Sequence, residues 1–169
     1  VSASKGWVTG VPPIDFANIF ANLKGFSAGL KALAANGTAQ KQYNGLTLSG
    51  TDPNLNVFAV DAKLFQGTTS ITLNVTPAST TIINVGGAAI AIDYAGINVN
   101  GQDPGKILWN LYEATTFENK GMSFVGSVLA PFATANLQSG SMTGTLVAAA
   151  ANVQSEMYFK PFRNNSLVQ

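Results

Sequence analysis

The sequence predicts a mainly β chain, a β-solenoid (β-helix) with one long α-helix packed alongside. Three observations predict it. One amphipathic helical stripe stands near the start; every later apolar run is short and bounded by Gly, Asn, Pro or Ser; and one of those runs recurs 18 residues further on.

The helix is read from Phe16, Ile19, Phe20, Leu23, Phe26, Leu30 and Leu33, whose spacings of three, four and seven make a single apolar stripe. Pro12 and Pro13 precede it, Asp15 is placed to cap it, and Asn36-Gly37 supplies a stop. The helix is expected over 15–35, with Ala17, Asn18, Asn22 and Ser27 on the face away from the core.

Beyond Gly37 the apolar runs are strand-sized: Gly45–Leu48, Asn56–Val60, Ser70–Val75, Thr80–Val85, Ile90–Ile92, Phe124–Leu129, Met142–Val147 and Glu156–Phe162. Strands with no interleaved helices fit a sandwich, a barrel or a solenoid. The repeat decides among them. Ser123-Phe124-Val125-Gly126-Ser127-Val128-Leu129-Ala130 aligns with Ser141-Met142-Thr143-Gly144-Thr145-Leu146-Val147-Ala148 at an offset of 18. Ala135-Asn136-Leu137-Gln138 then aligns with Ala151-Asn152-Val153-Gln154 at 16. A period in the high teens suits one solenoid coil and is too short for a propeller blade of about 40 residues. Phe124 should stack on Met142 and Val128 on Leu146, with Gly126 and Gly144 at the bends. The chain reads as a single domain over 1–169: an N-terminal segment 1–13, the helix, coils over 43–162 and a tail 163–169.

Composition narrows the function. The chain has no Cys and no His, which removes Cys/His zinc sites, thiol nucleophiles and every His-dependent triad. No cofactor is expected. Nine Lys/Arg are scattered, the net charge is +1, and no basic run could neutralise a series of phosphates, so nucleic acid is a poor partner. No stretch reaches the roughly 18 apolar residues of a membrane span. Charged residues make up only 10%, so the surface must consist of Ser, Thr, Asn and Gln or be covered by neighbours.

Several residues invite a chemical reading. Asp52-Pro53-Asn54-Leu55-Asn56 has oxygen ligands at alternate positions, yet Val57 stands where a calcium loop needs Gly, so an Asx turn is expected. A turn is expected at Asn98–Asp103 as well. Of the eight acids only Asp93 and Glu113 sit beside aromatics, and none forms an evident pair for glycoside hydrolysis. The expectation is no enzyme and no catalytic residue. Ser70, Thr72, Asn74 and Thr76 alternate with Ile71, Leu73 and Val75, which turns a hydroxyl and amide row outward as a candidate surface for ice or glycan. Ice would require such rows on neighbouring coils, and Met142, Gln138 and Asn136 do not continue one. Trp109 is expected in the core or against the helix, and Asn110 in an Asn ladder between coils.

Lys106-Ile107-Leu108-Trp109-Asn110, Ala114-Thr115 and Phe124-Val125-Gly126-Ser127-Val128-Leu129-Ala130-Pro131 together resemble the bacterial choice-of-anchor A surface-protein family. Ile14-Asp15-Phe16, Gly50–Phe58, Ile82–Val85 and Gly144–Ala148 extend the resemblance over about residues 12–162. It implies that Asp15, Trp109, Asn110, Gly126, Pro131 and Gly144 are structural signature positions. It also implies a right-handed β-helix with a helix beside it and an exported, adhesive, non-enzymatic role at the cell surface. Two departures stand out. Family members usually have further Gly-rich coils before the helix, where only Val1–Pro13 precede it. The family's Glu-x-His ending becomes Glu156-Met157-Tyr158. The sequence therefore leaves room for three roles: a structural or adhesive module, a self-assembling filament subunit with homo-oligomeric neighbours, and an ice- or glycan-binding domain.

Overall fold

A computed structural model describes residues 14–163; the segment 1–13 and the tail beyond Arg163 lie outside the described residues. Helix α1 spans Phe16–Ala32. Among the described residues eleven strands follow: β1 Thr38–Gln42, β2 Gly45–Ser49, β3 Leu55–Asp61, β4 Ser70–Asn74, β5 Thr80–Gly86, β6 Ala89–Asp93, β7 Gly96–Asn98, β8 Ile107–Asn110, β9 Thr116–Val125, β10 Ser127–Gly144 and β11 Leu146–Phe159. Short 3-10 turns at Ala62–Phe65 and Pro104–Lys106 interrupt them.

The strands wind into a β-solenoid of about five turns, with parallel pairing from coil to coil. One face stacks β2, β4 and β7; a second stacks β3, β5, β8 and the start of β10; a third stacks β6, β9, the middle of β10 and β11. The repeat seen in the sequence is a register in space. Phe124 pairs with Met142, Val128 with Leu146 and Gln138 with Gln154. The period itself needs correction for the earlier coils. Leu46 pairs with Ile71 and Ile71 with Ile97, 25 and 26 residues on. Turns and 3-10 segments at the corners lengthen those coils and hide their periodicity. The coils also begin earlier than expected, at Thr38, because β1 folds back antiparallel on β2 through a two-residue turn, Tyr43-Asn44.

Alternation along each strand sends one row inward. Leu46, Ile71, Ile83, Ile92, Phe117 and Met142 meet there, almost wholly buried. Trp109 lies fully buried in this interior, its ring 6.4 Å from Phe65 and 5.3 Å from Phe124. Its indole N–H donates to the Val125 carbonyl at 2.9 Å, so the one polar atom of the ring is satisfied.

The helix lies on the outside of the second face. Asp15 caps it as expected, accepting from the Asn18 N–H at 3.0 Å. Its far end differs from the expected 15–35. The helix stops at Ala32 because Leu33 turns extended and packs with Leu30, Val57, Ile82, Leu108 and Leu129 in a second apolar cluster. Asn36 then grips β3, accepting from the Val57 N–H at 2.7 Å and donating to the Leu55 carbonyl at 2.9 Å. The apolar stripe is also used differently. Phe16, Ile19 and Phe26 remain exposed, while Ser27, expected on the outer face, is buried. The reason is geometric. Three helical residues rise about 4.5 Å, close to the ~4.8 Å between strands, so Ser27 meets Asn110 and Leu30 meets Asn84 one coil away. A contact that close needs a small polar residue.

Candidate functional site

The candidate row stands where the alternation predicts. Ile71 and Leu73 are buried, Ser70, Asn74 and Thr76 are exposed, and Thr72 is half-buried. The structure shows that this row belongs to a larger lattice. Thr72 pairs with Thr47 on one side and Asn98 on the other, and Thr47 pairs in turn with Gln40. Asn74 pairs with Ser49, and Ser49 with Thr38. One column of hydroxyls and amides thus crosses four strands and the other three, at ~4.8 Å spacing, with alternate residues ~6.7 Å apart along each strand. Among the described residues no charged side chain interrupts them. Lys41, the charged residue of β1, turns to the other side and donates to the Gln66 carbonyl.

Sequence reasoning sought the continuation of the row in the wrong place. Met142 faces the core, and Asn136 and Gln138 belong to the third face. The continuing residues are Gln40, Thr47 and Asn98. A signal was present: Gly45-Leu46-Thr47-Leu48-Ser49 alternates just as Ser70–Asn74 does, 25 residues earlier.

The other singled-out residues act within the fold. The Asp52 carboxylate accepts from the Asn54 and Leu55 N–H groups at 2.8 and 3.0 Å, an Asx turn. These bonds, that of Leu55 foremost, hold its pKa below the ordinary carboxylate value. Asn98 and Asp103 likewise accept from Asn100 and Gly105. Asp103 also pairs with Lys160 at 3.3 Å, and the Gly105 bond is the main cause of its lowered pKa. Glu113 accepts from the Gly87 N–H at 2.8 Å, whereas Asp93 borders a separate hollow beside Tyr94. Asn84 and Asn110 form the expected ladder, aimed outward at the helix. Gly126 and Gly144 occupy equivalent bends of successive coils, and Pro131 lies buried at the register shift after Ala130. In β11, Tyr158 donates to Glu156 at 2.7 Å.

What this arrangement offers is an uncharged, hydrogen-bonding plane on a stack of paired strands. No curated protein and no solved structure matches the chain. The family model described as Putative Ice-binding-like adhesive domain matches residues 2–159, nearly the whole chain. The solenoid with a helix laid beside it thus goes with a named group of domains, and the chain belongs to this ice-binding-like adhesive domain family.

Proposed function

We propose that this domain is a non-catalytic adhesive module of a secreted bacterial surface or matrix protein of the choice-of-anchor A kind. Its working surface is the uncharged plane of β1, β2, β4 and β7, which meets a hydroxyl-bearing partner such as a polysaccharide layer or ice. The observation that carries this reading is the register of Gln40, Thr47, Thr72 and Asn98. The Thr and Asn members of this column are short side chains on paired strands, which lose little conformational entropy when a surface docks on them. A plane without charge also requires no ion desolvation on contact. The non-catalytic part draws support from the carboxylates. Asp15, Asp52, Asp61, Asp103 and Glu113 all accept backbone N–H bonds, a structural use that occupies them. Purified domain should adhere to polysaccharide-coated beads, and the pair Thr47→Lys and Thr72→Lys should sharply weaken adhesion without unfolding. Undiminished adhesion would remove the plane from the mechanism. Thermal hysteresis that the same pair eliminates would identify ice as the partner. Turnover of any polysaccharide that Asp93→Asn or Glu113→Gln destroys would overturn the non-catalytic reading.

A second reading, assembly into a filament, has its own observation. Among the described residues β11 pairs only with β10, and its other edge is open. Val153, Met157 and Phe159 are exposed there, around a hollow of about 350 Å³. Glu156 is the single charge in the strand, so the usual protection of an edge by Lys or Pro is absent. Native mass spectrometry at rising concentration tests this reading; a strict monomer would remove it.

A further inference from the structure

Two tyrosines stand on backbone that disfavours them. Tyr43 and Tyr94 both have φ 53°, in the left-handed region where a Cβ is crowded and glycine is the favoured residue. Burial does not offset the strain, since the side chains are 90% and 66% exposed. The register places both on one edge of the solenoid. Thr69 donates to the Asn44 carbonyl at 2.8 Å, and Gly96 donates to the Thr69 carbonyl at 3.0 Å. Tyr43-Asn44, Thr68-Thr69 and Tyr94-Ala95 are therefore successive rungs, with the two tyrosines two coil spacings, about 10 Å, apart. One coil further along, the left-handed residue at this corner is Gly121, φ 64°. A Cβ there would stand 2.5 Å from Cε1 of Tyr94; the glycine leaves room for the ring. Strain kept at an exposed aromatic is the kind found at binding sites.

Behind Tyr94 runs a hollow of about 730 Å³, within the usual range for ligand sites. Ala89 and Ala91 of β6 line it beside Gln66, Thr69, Asp93 and Glu118. Asp61, Asp93 and Glu118 against Lys63 leave it two net negative charges. One carboxylate oxygen of Asp93 is buried at its wall and has no partner among the described residues.

We propose that this edge is a second, separate binding site, for a neutral oligosaccharide. A sugar ring has an apolar C–H face that suits an exposed aromatic, and a rim of hydroxyls that needs carboxylate, amide and hydroxyl partners. Tyr94 supplies the first, and Asp93, Glu118, Gln66 and Thr69 the second. Tyr43 is a further platform along the same edge. The negative charge excludes sulfated and uronic-acid chains. The site stands whether or not the uncharged plane is adhesive.

The test titrates the full chain with cellohexaose, mannohexaose and xylohexaose, and with a heparin hexasaccharide as the anionic probe, followed by calorimetry and amide NMR shifts. At least one neutral hexasaccharide should saturate and shift the amides of Gln66, Thr69 and Tyr94. Tyr94→Phe should keep the affinity within about twofold, and Tyr94→Gly should weaken it about tenfold or more. Tyr94→Gly should also raise the melting temperature by relieving φ, which separates lost binding from lost fold. Failure of all three neutral probes to bind, binding unchanged in Tyr94→Gly, or preference for heparin would each overturn the proposal.

Discussion

Asn110 stacks on Asn84 of the preceding coil, Nδ2 to Oδ1 at 2.8 Å, and together they fasten helix α1 to the solenoid. Asn84 donates to the Leu30 carbonyl at 2.8 Å. Asn110 donates to the Ser27 carbonyl at 2.9 Å and accepts the Ser27 hydroxyl at 2.6 Å. All three side chains are buried. Two carbonyls in the C-terminal half of the helix thus act as acceptors from the sheet. Removing Asn110 leaves the Ser27 hydroxyl and the Asn84 side-chain oxygen without their partner in a buried interface, at about 1–3 kcal/mol per orphaned group. Asn110→Ala should therefore cost about 3 kcal/mol in urea denaturation. The double variant Asn110→Ala with Ser27→Ala should recover part of that, because the orphaned hydroxyl is then gone.

This pair also marks the limit of what the sequence reveals. Asn110 is legible as a ladder residue because Asn ladders follow from strand stacking alone. Its helix partner is not legible, since helical periodicity puts Ser27 among the polar positions. Apolar patterning describes how a helix avoids water, and Ser27 is buried for hydrogen bonding. The coils show the same division. Residues 123–154 betray their register because the corners are tight and the offset drifts only from 18 to 15, whereas Ala62–Phe65 and Pro104–Lys106 pad the earlier coils and erase the period. The uncharged plane was half visible for that reason: Ser70–Asn74 declares itself by alternation, but its alignment with Thr47 and Asn98 depends on corners of unequal length.

Gly126 tests the corners. Its φ of 106° lies outside the range L side chains adopt readily, and an added Cβ would come within 2.8 Å of Ile107 Cγ2 and 3.0 Å of the Trp109 indole nitrogen. Gly126→Ala thus combines backbone strain with overpacking against core residues that cannot retreat, at about 2–4 kcal/mol. The equivalent bend at Gly144 would place a Cβ 2.2 Å from the Gly126 carbonyl oxygen, a backbone atom. Gly144→Ala should loosen the final coil first. Hydrogen exchange should then show protection lost over Leu146–Phe159 while β5 and β8 keep theirs.

The lowered pKa values of Asp52 and Asp103 fix the sign of an acid limb. A carboxyl whose pKa is lower in the folded state contributes stability above its unfolded value, 3.8 here. That contribution is lost as pH falls through the folded value. Stability should hold steady from neutral pH down to about pH 4–5 and decline below it. Asp52→Ala should narrow its gap to the parent protein as pH falls through that window, read as the urea midpoint at each pH. Tyr158 has the opposite dependence. The hydrogen bond to Glu156 and the charge of its carboxylate raise the phenol pKa above 10.0, so its contribution is present below that value and disappears as pH rises through the folded one. Glu156→Gln should bring the phenol's alkaline titration back toward the ordinary range.

Trp109 decides whether the ring at the centre of the solenoid is packing or recognition. It is fully buried among Phe65, Phe124 and the neighbouring coils, with no face open to a sugar or a surface. Its indole N–H reaches the Val125 carbonyl, directly before the Gly126 bend. Trp109→Phe removes that donor and part of the ring volume at once. The loss should come to about 2–4 kcal/mol, from a cavity in the core together with an unpaired carbonyl at the corner. Adhesion by the fraction that remains folded should be unchanged, because the ring contributes nothing to the outer plane. A variant with lowered stability and parental adhesion places Trp109 in the core. A variant with parental stability and lost adhesion would instead require the ring to reach the surface, which the buried stack on Phe124 does not permit.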